Sequence, residues 1–469
     1  MKLISDYSFS QSDQIEFAKL SGDWNPIHVD PVFARRTIYG QVVHGINIVL
    51  FALEAFLSDK TNPIPSEIHV SFLSPLNLHQ TFEVEIIYKE EDVILEVKSS
   101  GKVITFIRIC IEADQKKFRV SSKKTVFQDN NFALPKERKF DDLKKVDCNI
   151  DLSIQAESFK NFFSSCIERM GEDQVAAILG LSKFVGMEYP GLHSLFSGFS
   201  LKFSKVKSQT LNFQTERFSI PNAPVRFSFD GSGITGTLDA FLRPTPFKQL
   251  DIGTINQFVS TNEFEDQKAL IIGGSRGLGE LTAKIIASGG GKVDITYSLG
   301  KLDAEYLKKE INESGEGLCE MHRINFNEDY EQTLEQLVQT VHPSHIYYFS
   351  SPRINANKDT ELDVNLLDEY MKFYVKVFNY LSQTVSNFEK VKVFYPSTKY
   401  IDDNDSNFKE YILAKKAGES LCNELNTKYN EPRFIFERLP KVRTDQTQSF
   451  IQDTGEEATN LLINILRKL

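Results

Sequence analysis

The chain has little of what would tie it to export, a membrane or nucleic acid. Its five cysteines (Cys110, Cys148, Cys166, Cys319, Cys422) are scattered and odd in number. Without metal-ligand spacing they exclude a disulfide framework or zinc module and read as free thiols in a reducing compartment. No window approaches the ~20 apolar residues needed to cross a bilayer. The opening MKLISDYSFSQSDQ lacks the apolar stretch of a signal peptide. Membrane insertion is therefore not expected, and a cytoplasmic location is. Positive charge is in deficit, with 54 Lys and Arg against 64 Asp and Glu, a net charge of -10. Phosphate binding needs a surplus of cations, so nucleic acid is not expected as a partner. What is present is ordinary globular material, 41% hydrophobic and 25% charged. At roughly 150 residues per domain, the 469 residues suggest about three domains.

Three organisational blocks emerge. Residues 1–114 hold a helical segment near Gln14–Leu20 and an apolar helix from about Gly45 to Leu57. Strand-like runs follow at IHVSFL, TFEVEIIY, VILEVKSS and VITFIRICIEA. A helix apolar nearly all round is expected to be buried. One buried helix followed by an antiparallel meander is the order of a hotdog fold, a sheet wrapped around its helix. Residues 115–247 begin with a basic connector (Lys116, Lys117, Arg119, Lys123, Lys124, Lys136, Arg138, Lys139, Lys144, Lys145), part of which is open to being a strand. They then repeat the first plan, with a helical DQVAAILGLSKFVGM before strands LFSGFSLKF, TLNFQTERFSI, VRFSFDG and ITGTLDAFL. Gly45 precedes Val70 by 25 positions, and Asp173 precedes the comparable Phe199 by 26. The expected architecture is an α+β double hotdog whose second copy lacks catalytic residues and contributes shape. Residues 248–469 alternate strands (ALIIGG, KVDITYS, CEMHRINF, HIYYFSS, VKVFYPS, RFIFERLP) with helices, which argues for a Rossmann-type doubly wound α/β sheet.

The run SGDWNPIHVD places Asp23, Asn25 and His28 in one short loop, with His44-Gly45 opening the apolar helix. Adding water across an enoyl thioester needs a carboxylate and an imidazole to hold and deprotonate the water. It also needs donors for the enolate forming on the thioester oxygen. Gly45, at a helix N-terminus with no side chain in the way, suits the donor role. Any one of these residues alone reads as a cap or a packed histidine. Together, FAKLSGDWNPIHVDPVFARR and GQVVHGINIV resemble the signature of MaoC-like hotdog proteins, the (R)-specific enoyl-thioester hydratases, over about the first 114 residues. The resemblance implies Asp23 and His28 as the catalytic pair, Gly45 as the oxyanion donor and Asn25 as the residue ordering the loop. It implies no metal.

ALIIGGSRGLGE puts a glycine-rich turn between a strand and a helix, the context that lets a dinucleotide pyrophosphate approach backbone amides. Gly273, Ser275, Arg276, Gly277, Leu278 and Gly279 would line it. Tyr411 and Lys415 are four apart in the helical YILAKKAGESLCNEL, so they share a face. A tyrosine protonates a carbonyl only if a cation favours its phenolate, and Lys415 is placed to do this and to hold a ribose. Ser397 ends VKVFYPS and could bond the substrate carbonyl, with Thr398 as a competitor because Ser397 lies one position farther from Tyr411 than is common. The order of these elements resembles the short-chain dehydrogenase/reductase family across about 200 residues. Two departures stand out: Ile272 where the family has threonine, and Tyr374 where it has the asparagine of its proton relay. Ser298 follows the second strand with no carboxylate before Asp303, and Arg276 sits in the turn; both favour NADPH over NADH.

The combined expectation is a bifunctional enzyme of fatty-acid or polyketide-type acyl metabolism. It would reduce a 3-oxoacyl thioester with NADPH and dehydrate the (R)-3-hydroxyacyl product, on coenzyme A or acyl carrier protein, with a homodimer allowed. The alternative is an active hydratase fused to a domain that reduces another substrate or only binds nucleotide. The basic connector reads first as a solvated linker, although its charge would also suit an acidic carrier.

Overall fold

Residues Gly45–Leu57 form a helix with almost no polar face: Ile46, Ile48, Val49, Leu50, Ala52, Leu53, Phe56 and Leu57 are all buried. Such a helix needs apolar partners on every side. In the computed structural model a sheet supplies them. The model describes residues 2–37, 39–111, 132–152, 162–204, 208, 210–357, 360–388, 390–428, 433–444 and 457–469. The basic residues Lys116, Lys117, Arg119, Lys123 and Lys124 lie outside the described residues. The chain divides into two units, Met1–Thr245 and Pro246–Leu469.

In the first unit the helix is covered by β1 (Lys2–Tyr7), β2 (Glu67–Phe72), β3 (Phe82–Tyr88), β4 (Asp92–Ser99) and β5 (Lys102–Cys110). They are antiparallel, in the order β1-β3-β4-β5-β2. Buried and part-exposed residues alternate along most of β3, as a sheet with one apolar face requires. A second set follows: β6 (Asp147–Asp151), β7 (Ser194–Phe203), β8 (Thr210–Arg217), β9 (Val225–Gly231) and β10 (Ile234–Leu242). From its outer edge inward it runs β6-β8-β9-β10-β7, the order of the first set again. Helix Glu172–Lys183, almost wholly buried, takes the place of Gly45–Leu57 and continues into a wider π-type turn at Phe184–Glu188. β6 lies at the end of the stretch read as a connector, tied down by the buried Leu143 and Val146 just before it.

The two sets join through antiparallel β2 and β7 into one ten-stranded sheet. Val70 and Phe199, the positions matched by spacing, are register partners across that seam. One apolar core runs beneath both sets.

The second unit holds β11 (Lys268–Ile272), β12 (Lys292–Tyr297), β13 (Leu318–Arg323), β14 (His345–Tyr348), β15 (Lys392–Thr398) and β16 (Phe434–Leu439). All pairs are parallel, in the order β13-β12-β11-β14-β15-β16. That is the strand order of the doubly wound dinucleotide-binding fold. Alternation along β11 feeds two cores: Ala269 and Ile271 enter one, Leu270 and Ile272 the other.

Truncating Leu53, which is fully buried in the first unit's central helix, to alanine is expected to cost about 2–5 kcal/mol of that unit's stability. Denaturant unfolding measures it, and an unchanged transition would remove the helix from its central role.

Candidate active sites

Helix Gln11–Ser21 stops at Gly22, whose φ of 75° turns the chain into the Asp23–His28 loop. Asn25 caps the short helix Pro26–Val29, accepting from the Ile27 N–H at 3.2 Å. Its Nδ2 reaches the second half of the sheet, donating to Gly186 O at 2.9 Å and Gly191 O at 3.0 Å. Trp24 N–H meets Met187 Sδ at 3.1 Å. The loop is held by the half that lacks a catalytic motif of its own.

Asp23 is 2% exposed. Its Oδ2 accepts from Ser182 Oγ at 2.7 Å and its Oδ1 from the Asn25 N–H at 3.2 Å. Burial raises its pKa above the ordinary carboxylate value, with the charge of His28 and these two bonds pulling against the rise. Gly186 packs on it so closely that a Cβ there would lie 2.1 Å from Oδ1. Second-half residues were expected to supply shape alone; Ser182 instead donates to the carboxylate. Its position 159 residues from Asp23 left no local signal.

His28 Nδ1 lies 2.9 Å from Val42 O, an acceptor, so Nδ1 carries the proton and Nε2 keeps its lone pair. Burial lowers the pKa of His28, Asp23 opposes this, and Arg243 adds to it, so the ring is neutral at neutral pH. His44 stacks on His28 with centroids 3.9 Å apart. Its Nε2 faces Asp23 O at 3.0 Å and its Nδ1 the Gln14 amide oxygen at 2.7 Å. Side-chain atoms of Asp23, His28 and His44 lie within 4.8 Å of one another, a spacing that also suits a metal. With both nitrogens of His44 and one of His28 already engaged, one imidazole nitrogen and one carboxylate remain. That falls short of the three protein ligands of a catalytic zinc site.

Gly45 begins the central helix, with His44 as its N-cap. The Asn47 and Ile48 amides bond His44 O at 3.0 and 3.3 Å, whereas the Gly45 N–H has no acceptor among the described residues. A free amide at a helix N-terminus is a donor for developing negative charge. A Cβ at residue 45 would sit 2.9 Å from the Phe72 ring, which would have to shift to admit it. A cavity of about 320 Å³ runs along the helix, lined by Phe9, Phe17, Asn47, Phe51 and Phe163 among others, but not by Asp23 or His28. Phe17, whose ring is 4.7 Å from His44, stands between cavity and site.

In the second unit the glycine turn joins β11 to helix Gly277–Ser288. Gly273 (φ 82°) and Gly277 (φ 60°) adopt left-handed conformations. A Cβ on Gly279 would fall 2.2 Å from Gly273 O, so only glycine permits this packing of helix on strand. Thr296 at the end of β12 accepts from both turn amides: Gly273 N–H to its Oγ1 at 2.9 Å, Gly274 N–H to its carbonyl at 3.0 Å. Ser275, Arg276, Leu278 and Ser298 lie at or beside this turn.

Two expectations for the reductive residues are corrected. Ser397 Oγ donates to Glu419 Oε1 at 2.5 Å, and Glu419 is paired with Arg438. Thr398 is the hydroxyl bonded to Tyr411. Successive strand residues point to opposite sides, and the turn of β15 puts Thr398, not Ser397, over the tyrosine. Lys415 was expected to acidify Tyr411. It is 4% exposed, its Nζ donates to Pro396 O at 2.6 Å, and it lies 3.9 Å from the Tyr374 ring and 4.7 Å from that of Tyr395. Burial draws its pKa down to about 7 and pushes the Tyr411 phenol above its ordinary range. Tyr374 fills the place given to the relay asparagine, and its hydroxyl is 2.5 Å from Ser351 Oγ. It sits in the π-type segment Lys372–Val377.

Residues 2–105 match the family model described as MaoC like domain. No curated protein matches the chain. Solved structures similar to it include the oxidoreductase yciK from E. coli, at 16% identity, covering 44% of this chain and 91% of that one, TM-score 0.41. A short chain dehydrogenase from Shigella flexneri shares 16% identity over 44% and 87%, TM-score 0.41. FolM alternative dihydrofolate reductase 1 from Brucella canis, complexed with NADP, shares 18% over 38% and 75%, TM-score 0.34.

Lys415→Met is expected to stabilise the second unit, because an apolar side chain carries no burial penalty for charge. The sign follows from linkage: a lysine with pKa about 7 when folded and 10.5 when unfolded makes stability rise between those pH values. Thermal melts across that range should show the rise in wild type and its loss in the variant. A variant that is less stable at pH 7 would contradict it.

Proposed function

We propose that the first unit hydrates enoyl thioesters, or dehydrates the corresponding (R)-3-hydroxyacyl thioesters, and that the second reduces 3-oxoacyl thioesters with NADPH. The observation that carries the first part is the meeting of a buried carboxylate, a neutral imidazole with a free Nε2 and an unpaired helix-terminal amide. Ligand atoms of Asp23 and His28 within 4.8 Å of each other are close enough for one water to hydrogen-bond both. His28 Nε2 takes a proton as the water oxygen bonds to C3. The π electrons move towards C2, the thioester oxygen gains charge, and the Gly45 N–H stabilises it. The proton returns to C2, and dehydration is the reverse. The matching strand orders of the two sets and their seam at β2 and β7 support a double hotdog in which one copy is catalytic.

For the second unit, the glycine turn and its close helix packing fit a dinucleotide, held by the amides after Gly273 and by residues 275–279. Ser298, with no carboxylate before Asp303, leaves room for a 2′-phosphate and Arg276 favours one. Bound NADPH would supply the hydride and Tyr411 the proton, with Thr398 bonded to Tyr411 and Lys415 Nζ 5.8 Å from its ring. A second reading, nucleotide binding without turnover, is favoured by Tyr374 over Lys415 and by the amine's bond to Pro396 O. NADPH oxidation with acetoacetyl thioesters separates the two: turnover supports the reductase, binding without turnover the second reading. If there is turnover, Thr398→Ala should slow it about 100-fold and Ser397→Ala should not.

Asp23→Asn is expected to lower crotonyl-thioester hydration by about 10²–10⁴ while sparing NADPH oxidation. Loss of enoyl absorbance follows the first. Because the raised pKa of Asp23 means its charge is lost as pH falls, the acid limb of kcat/KM should lie above the usual carboxylate range. Ser182→Ala removes a donor to the carboxylate and should move that limb higher still. Retained hydration in Asp23→Asn would refute the assignment.

A further inference from the structure

A guanidinium buried without a counter-charge is costly unless other groups replace its hydration. Arg243, directly after β10, is 5% exposed. Its Nε donates to Ser194 O at 3.0 Å and its Nη2 to Leu192 O at 3.1 Å. Its own backbone N–H bonds His193 O at 2.6 Å and fixes the stem. No carboxylate pairs with it among the described residues, and Nη1 has no acceptor there. Of five N–H donors, the two carbonyls take one each, leaving a fork. Burial draws its pKa down to about 10, so it stays cationic at neutral pH.

The turn that Arg243 grips is also gripped by the hydration loop. Asn25 Nδ2 donates to Gly191 O at 3.0 Å and reaches Leu192 O at 3.4 Å, so the two side chains share one carbonyl. The charge on Arg243 is felt at His28. Glu137, on the segment paired with Gly191, bonds His193 Nε2 at 3.1 Å. A fixed cation thus shares a carbonyl with the loop that carries the water-activating pair, with its fork unspent.

We propose that Arg243 recognises an anionic oxygen group, carboxylate or phosphate, carried by the thioester that enters the hydration site. This rests on the hydration reading above. Two sources could present such a group: the phosphates of the thioester's carrier, or a second carboxylate on the acyl chain. Both would give the guanidinium the counter-charge that the protein withholds, and both would do so only when substrate is bound.

The test measures KM and kcat for hydration of crotonyl-coenzyme A, crotonyl-pantetheine without phosphate, and an enoyl-pantetheine bearing a terminal carboxylate. Wild type, Arg243→Gln and Arg243→Lys are compared, the lysine variant keeping the charge if the glutamine variant does not fold. The expected result is a KM rise of about 30-fold or more in Arg243→Gln for an anion-bearing thioester, with kcat little changed and partial rescue by lysine. A rise for crotonyl-coenzyme A but not crotonyl-pantetheine identifies phosphate. A rise confined to the carboxylated acyl chain identifies the carboxylate. Equal changes for all three thioesters, or none, would overturn the inference while leaving hydration intact. Wild type inactive on every thioester would instead remove the hydration reading, and this inference with it.

Discussion

A carboxylate taken out of water needs donors to replace its hydration, and Asp23 finds its side-chain donor in the other half of the sheet. Ser182 lies on the buried helix of the second set, and Gly186, on the turn after it, presses against the same carboxylate. Asn25 grips the carbonyls of residues 186 and 191. The helix of the second set and the turn after it therefore supply the loop with its partners. Were the second set absent, Asp23 and Asn25 would lose these partners, and the short helix they introduce would retain only its own caps.

That dependence explains what could be seen in the sequence. Asp23, His28 and Gly45 were legible because they lie close together and each has a chemical reason for its place. The two sheets were legible in alternating apolar runs and turn residues, and the glycine turn in its strand-to-helix setting. Ser182 and Arg243 were not: Ser182 meets Asp23 across 159 residues, Arg243 binds carbonyls 49 and 51 residues away, and nothing nearby in the chain marks either. Between Ser397 and its competitor Thr398 the sequence left the choice open. At a strand end one step changes the side a hydroxyl faces, and only the packed helix decides which residue meets Tyr411.

The second unit shows a different balance. Its glycine turn brings helix against strand at Gly279, where a Cβ would lie 2.2 Å from Gly273 O, while the residues around Lys415 are aromatic. Tyr374, Tyr395 and Tyr411 surround Lys415, and burial outweighs the attraction of those rings for a cation. A lysine expected to acidify its neighbour is itself held near neutrality.

The central claim is that hydration depends on the second half holding the Asp23 carboxylate in place. Gly186→Ala tests it most directly, because a Cβ there would intrude to 2.1 Å from Asp23 Oδ1 while the sequence of residues 23–28 stays unchanged. With the fold intact by circular dichroism, crotonyl-coenzyme A hydration should fall about 100-fold, the cost of misplacing a reacting group by roughly an ångström. Hydration at the wild-type rate in that folded variant would contradict the account.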